Sequence, residues 1–231
     1  MSFPTAPATT SGMRANPAIA AALLGQAFLW MFAGLLLTAG VAFVVQSNEQ
    51  VMSGVANLIL PIFIGQLALV WVIGLGIKRM SATVALGLFF LYAATLGFTV
   101  AVIVSLYTGE SVTAAFLSAS AMFGAAGLYG VVTKRALTGL GGILTIGIIG
   151  LIVASLINVF FASGTLSWII SIIGVVIFTA LTAYDTQRIS SGALVAQTGS
   201  VEKAAVMGAL SLYLDFINLF LFLLRLFGNR R

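Results

Sequence analysis

The sequence predicts an all-α integral membrane protein, a bundle of seven transmembrane helices, and three observations predict it. Of 231 residues, 61% are hydrophobic and only 6% charged, where soluble domains average about 25% charged. Mean hydropathy is +1.19. The apolar residues fall in runs of spanning length, about 20 residues each, separated by short polar breaks.

Met1 to about Asn16 is rich in Pro, Thr, Ser and Ala and reads as a disordered N-terminal segment, 1–16. The apolar run that begins near Pro17 is about 30 residues long, well beyond the core of a cleavable signal peptide. From there, 17–231 reads as one seven-span membrane domain. The spans are 17–46, 52–77, 82–107, 111–133, 138–161, 167–189 and 204–227. Pro61, near the middle of the second span, is expected to kink it. The small residues Gly124-Ala125-Ala126-Gly127, Gly130, Gly139-Leu140-Gly141-Gly142, Gly147 and Gly150 are expected to pack helices closely, because no hydrophobic effect drives their association in lipid.

Charges alternate along the breaks. Arg14, Lys78/Arg79, Lys134/Arg135 and Arg188/Lys203 fall on one side; Glu49 and Glu110 fall on the other. The positive-inside rule makes the basic side cytoplasmic and places the N-terminus inside. Arg225, Arg230 and Arg231 then lie on the outer side, against the trend. The formal net charge of +5 belongs to helix ends and lipid headgroups, not to nucleic acid.

The chain has no cysteine and no histidine. Disulfides, thiol chemistry and histidine-ligated zinc or haem are thereby excluded. Any response to pH near neutrality must come from carboxylates, since histidine is the usual titrating side chain there. Two acids are placed for it. Asp185 lies in Tyr184-Asp185-Thr186-Gln187, near the end of the sixth span. Asp215 lies near the middle of the seventh, in Ala209–Arg225. An ionised carboxylate at that depth costs about 2.5 kcal/mol or more, so it requires a partner, a wet cavity or a proton.

Helical spacing puts Ser211 and Asn218 on the face of Asp215, with Tyr213 near by, and Thr182 and Arg188 on the face of Asp185. Arg188 is positioned to pair with Asp185. Thr186 and Gln187 are expected to point elsewhere, towards a cytoplasmic mouth. At 1.5 Å per residue, Asp185 is about 6 Å from its helix end and Asp215 about 15 Å from its own, an offset of about two turns. If the carboxylates meet, they cannot both ionise cheaply and titrate as a unit. The protonated pair can share a hydrogen bond and clamp the two helices. The doubly ionised pair repels itself and attracts a hard cation such as Ca²⁺.

Tyr184-Asp185-Thr186-Gln187, followed by Ser211-Leu212-Tyr213-Leu214-Asp215-Phe216-Ile217-Asn218-Leu219-Phe220 and Leu223-Leu224-Arg225, resembles the Bax inhibitor family (transmembrane Bax inhibitor motif proteins), in its bacterial branch. The likeness extends over all but about the first 15 residues. It implies a bundle in which six helices surround a central seventh, and a pH-sensitive calcium leak channel closed by an aspartate pair. Carried over, that pair is Asp185 and Asp215, which sense pH, gate the pore and bind the passing Ca²⁺. Lys78 or Arg79 is the implied latch counter-ion; helical spacing adds Arg188 as a third candidate, and Tyr184, Ser211 and Asn218 as supporting polar groups near the two acids. No resident cofactor is expected; Ca²⁺ is the transported ion, and the partners are the lipid bilayer and other membrane proteins, such as a membrane protease.

The competing classes are a regulator that binds membrane proteins without transport, and an intramembrane aspartyl protease. Presenilin-like proteases also carry two intramembrane aspartates, but with Gly-x-Gly-Asp at the second, where this chain has Leu212-Tyr213-Leu214-Asp215. A Pro-Ala-Leu motif is also missing. The sequence is therefore read as a non-enzyme.

Overall fold

The computed structural model describes residues 17–231, and the expected disordered segment 1–16 lies outside the described residues. In chain order the helices are α1 (Pro17–Gln46), α2 (Glu49–Asn57), α3 (Ile59–Gly76), α4 (Ala82–Ser105), α5 (Gly109–Val132), α6 (Leu140–Phe161), α7 (Gly164–Ser190), α8 (Ala193–Thr198) and α9 (Val201–Phe227). Seven of them, all but α2 and α8, are long and apolar enough to cross a membrane. Helices satisfy every backbone polar group within the segment, which lipid demands.

The helix starts follow from side-chain chemistry at the breaks. Asn48, Ser81, Thr108, Ser163 and Ser200 each accept a bond from a free N–H of the turn that follows. Those N–H groups have no partner inside the helix. Gly192 (φ 75°) and Gly199 (φ 86°) flank α8 in left-handed conformations, which glycine adopts without strain. They let α8 fold into what the sequence suggests is a plain loop, and α9 begins at Val201 rather than 204.

The second span also differs from expectation. It is broken at Leu58 into α2 and α3, and Pro61 sits in the first turn of α3 instead of kinking a continuous helix. A proline ring clashes with the carbonyl four residues earlier, and that residue is Asn57, where α2 ends.

Helix α9 forms the core. It packs against α1, α4, α5 and α7, with α8 at its start, and 67% of its most apolar window is buried, against 11% for α3 and for α6. The central seventh span is thus present, but its immediate ring is four spans. Helix α3 is attached outside to α4, and α6 outside to α7. Gln66 joins α3 to α4: its amide donates to the Thr95 carbonyl at 2.8 Å and to Thr99 Oγ1 at 2.9 Å. Such bonds hold helices where apolar contact with lipid is no worse than contact with protein.

The small residues divide. A Cβ on Gly130 would collide with the Ala183 carbonyl oxygen, one on Gly141 would stand 2.7 Å from the Tyr184 hydroxyl and one on Gly147 2.9 Å from Ile177. These three seat α5 and α6 on α7. Gly124, Gly139, Gly142 and Gly150 meet nothing within 4 Å.

The two ends of the bundle differ in charge. Lys203 Nζ donates to the Lys78 carbonyl at 3.2 Å, and Gln187 binds the Arg135 carbonyl, so Lys78, Arg135, Arg188 and Lys203 gather at one end. At the other, the tail folds against the α4–α5 turn. Thr108 N–H donates to the Asn229 carbonyl at 3.1 Å, and the Arg230 guanidinium lies 5.9 Å over the Tyr107 ring. Arg230 and Arg231 therefore sit opposite the basic end, as an odd number of spans requires.

Candidate functional site

The register between α7 and α9 decides whether the two acids meet. These helices run antiparallel, with Ile189 3.0 Å from where a Gly208 Cβ would stand and Phe222 2.6 Å from a Cβ on Gly174. Counting back four residues from Ile189 brings Asp185 level with Leu212, between Ser211 and Asp215. The axial offset to Asp215 is three residues, about 4.5 Å. That replaces the expected offset of two turns. The expected offset took the two helix ends to be level, whereas α9 projects past the end of α7: Gly208, level with Ile189, is already seven residues after Val201.

Asp185 and Asp215 consequently lie within electrostatic reach of one another, and Ser211 faces the Asp185 carboxylate. Both acids are buried, Asp185 at 8% and Asp215 at 3% exposure. Asp215 stands fourteen residues after Val201 and twelve before Phe227, at mid-helix. Its Oδ2 has no hydrogen-bond partner. The Thr186 Oγ1 beside the pair is in the same condition, fully buried and unpartnered. Two orphan oxygens in one region are costly in a dry interior.

Arg188 supplies the cation. Its Nη1 lies 3.7 Å from Asp185 Oδ1, and its Nη2 also donates to Gln197 of α8. Lys78 and Arg79 are exposed in the turn after α3, and among the described residues neither forms an ion pair. Of the supporting polar groups, Ser211 alone faces the pair. Tyr184 turns to Gly141 on α6, and Asn218 donates back to the Leu214 carbonyl of its own helix at 2.8 Å.

The expectation that Thr186 and Gln187 point to a mouth is corrected. Thr186 is buried against Gly127 of α5, where a Cβ would stand 3.6 Å from its hydroxyl. The Gln187 side chain holds the α5–α6 connection: its Oε1 accepts from Leu137 N–H at 2.7 Å and its Nε2 donates to the Arg135 carbonyl at 2.9 Å.

Two further features escaped the sequence. Tyr213, one turn before Ile217, is fully buried, and its hydroxyl lies 2.5 Å from Thr38 Oγ1 of α1. Thr38 also lies 2.8 Å from the Ala93 carbonyl of α4. A single threonine in an apolar run is a weak signal, and only its position across from Tyr213 gives it a role. The second feature is an aromatic wall. Phe216 meets Phe116 and Phe123 edge-on at 5.6 and 5.5 Å, Phe123 meets Phe28, and Phe116 meets Phe220. Phe216 and Phe220 follow Asp215 on α9, so these rings and Phe116 lie towards the Tyr107 end, whereas Phe28 reaches Gly127, beside Thr186.

Residues 20–231 match the family described as Inhibitor of apoptosis-promoting Bax1. The chain is 44% identical over 214 residues to "Inner membrane protein YbhL" of Escherichia coli (strain K12), covering 90% of this chain and 92% of that protein. It is also 44% identical over 209 residues to an uncharacterized protein of Deinococcus radiodurans, covering 90% of each. A protein of Borreliella burgdorferi is 39% identical over 213 residues, covering 90% of this chain and 92% of its own length. Both acids lie within the region that the family model matches.

Proposed function

Because the chain belongs to the Bax inhibitor family, we propose that it is a calcium leak channel of the bacterial plasma membrane, gated by protonation of the Asp185–Asp215 pair. The observation that carries this reading is the orphan Oδ2 of Asp215, buried at the middle of the central helix and beside a second carboxylate. A packing element would be expected to spend that oxygen on a hydrogen bond. A site for a proton or a passing cation leaves it free.

The chemistry follows from competition. With one proton between them, the acids tolerate proximity and hold α7 to α9. Fully ionised, they repel one another and favour a hard cation. Two carboxylates offer at most four oxygens, whereas Ca²⁺ takes six to eight. The ion therefore keeps water and passes through as cargo. Arg188, tied to α8 through Gln197, links the charge on Asp185 to the α7–α9 connection. The Phe116–Phe123–Phe216 wall is the barrier on the far side, since an apolar constriction blocks ions by excluding water. Opening requires α9 to move relative to α5.

The test is calcium flux into proteoliposomes with the purified protein, Asp185→Asn and Asp215→Asn. Flux that responds to pH in the parent and loses that response in both variants supports the channel. Absence of flux in the parent at every pH overturns it and favours the regulator that binds other membrane proteins.

A further inference from the structure

A groove of about 500 Å³ opens towards lipid where α5 and α6 both rest on α7. Its walls are Met122 and Tyr129 of α5, Leu140 of α6, and Val176 and Ala180 of α7. It is separate from the acid pair, which lies between α7 and α9. We propose that this groove binds one anionic phospholipid, with an acyl chain along α7 and the phosphate at Lys134 and Arg135.

Three observations fix the occupant. The first is length. From Met122 to Tyr129 the α5 wall runs seven residues, about 10 Å, which lies within one leaflet of a hydrocarbon core about 30 Å thick. One chain of one leaflet has that reach. The second is width: a volume of about 500 Å³ over about 10 Å leaves a cross-section of about 50 Å², narrower than a partner helix about 10 Å across with its side chains.

The third is charge. Lys134 and Arg135 are exposed in the α5–α6 connection, three and two residues before the groove-lining Leu137, and among the described residues neither is paired with an acid. Their position is not left to a loose loop. Gln187 grips the connection on both sides, at the Arg135 carbonyl and the Leu137 amide, and Leu137 lines the groove. Basic pockets between spanning helices are suited to phosphate headgroups, and Tyr129 stands at the depth where aromatic side chains meet the interface.

The floor explains why the groove exists. Gly130 draws α5 against the Ala183 carbonyl, and Gly141 and Gly147 draw α6 against Tyr184 and Ile177. Both helices are pulled onto α7, and the space between them is left for lipid.

The experiment places a photoreactive benzoylphenylalanine at Tyr129, where it replaces an existing ring at the groove's edge, in the full-length protein reconstituted in mixed phosphatidylglycerol and phosphatidylcholine vesicles. Lipid adducts should be enriched in phosphatidylglycerol above its share of the vesicle. Lys134→Gln with Arg135→Gln should weaken the preference by about 30-fold, at about 1 kcal/mol per basic residue. Ala180→Phe, which fills the groove and leaves the basic pair intact, should abolish retention of the same lipid through detergent purification. Adducts in bulk proportion, or adducts of protein mass, overturn the proposal. So does thermal stabilisation of the purified protein by inorganic phosphate as large as that by phosphatidylglycerol.

Discussion

Gly130 on α5 lies so close to Ala183 on α7 that a Cβ added to it would run into the Ala183 carbonyl oxygen. A backbone atom cannot swing aside as a side chain does. Gly130→Ala must push α5 from α7, at a cost of about 1–3 kcal/mol for overpacking. Gly124→Ala, six residues earlier on the same helix with nothing within 4 Å, should leave the thermal midpoint in detergent unchanged. Equal midpoints for the two variants would contradict this close seat.

Asp215→Asn keeps the shape of the side chain and removes its charge. The protein should fold and purify as the parent does, while calcium flux in proteoliposomes loses its dependence on pH across the neutral range. A pH profile superimposable on that of the parent would remove Asp215 from the gate.

Arg188→Gln takes away the cation 3.7 Å from Asp185. A positive neighbour interacts with the ionised carboxylate and not with the neutral acid, so its loss should displace the flux profile along the pH axis. A profile that stays fixed would show that Arg188 serves only to anchor Gln197.

Phe216→Ala opens the aromatic wall between α5 and α9, where its ring meets Phe116 and Phe123. The expected result is a higher basal leak at the pH where the parent is least active, read by the same flux assay. The fold should lose about 3–5 kcal/mol at most, the range for truncating a buried phenylalanine. A tighter channel would place the barrier elsewhere.

Thr38 accepts from the Tyr213 hydroxyl and passes its own proton to a carbonyl, Ala93 at 2.8 Å or Gly34 at 2.9 Å. Thr38→Val leaves Tyr213 buried with its donor unmet, at about 1 kcal/mol or somewhat more within a membrane. Adding Tyr213→Phe to Thr38→Val should recover part of the loss. Additive losses in the double variant would mean that the two hydroxyls are not coupled.

Fold class was legible because lipid leaves the backbone so few choices. A chain with 6% charged residues and seven apolar runs must close its hydrogen bonds within helices, and Asp185 and Asp215 announce themselves as acids where acids are expensive. Arg188 followed from helical spacing alone, three residues from Asp185. The break at Leu58 and the α8 turn did not follow, because Pro61, Gly192 and Gly199 permit a change of direction without dictating it, and the partners of Gln187 did not because they lie about fifty residues away in the chain.

What the tertiary structure alone decided is register. Hydropathy says that α7 and α9 both cross the membrane, yet it is silent on how far one slides along the other, since every sliding position buries similar apolar surface in lipid. The contacts of Ile189 with Gly208 and of Phe222 with Gly174 choose one position. Steric fit between small and large side chains sets it, and that choice brings Asp185 within one turn of Asp215.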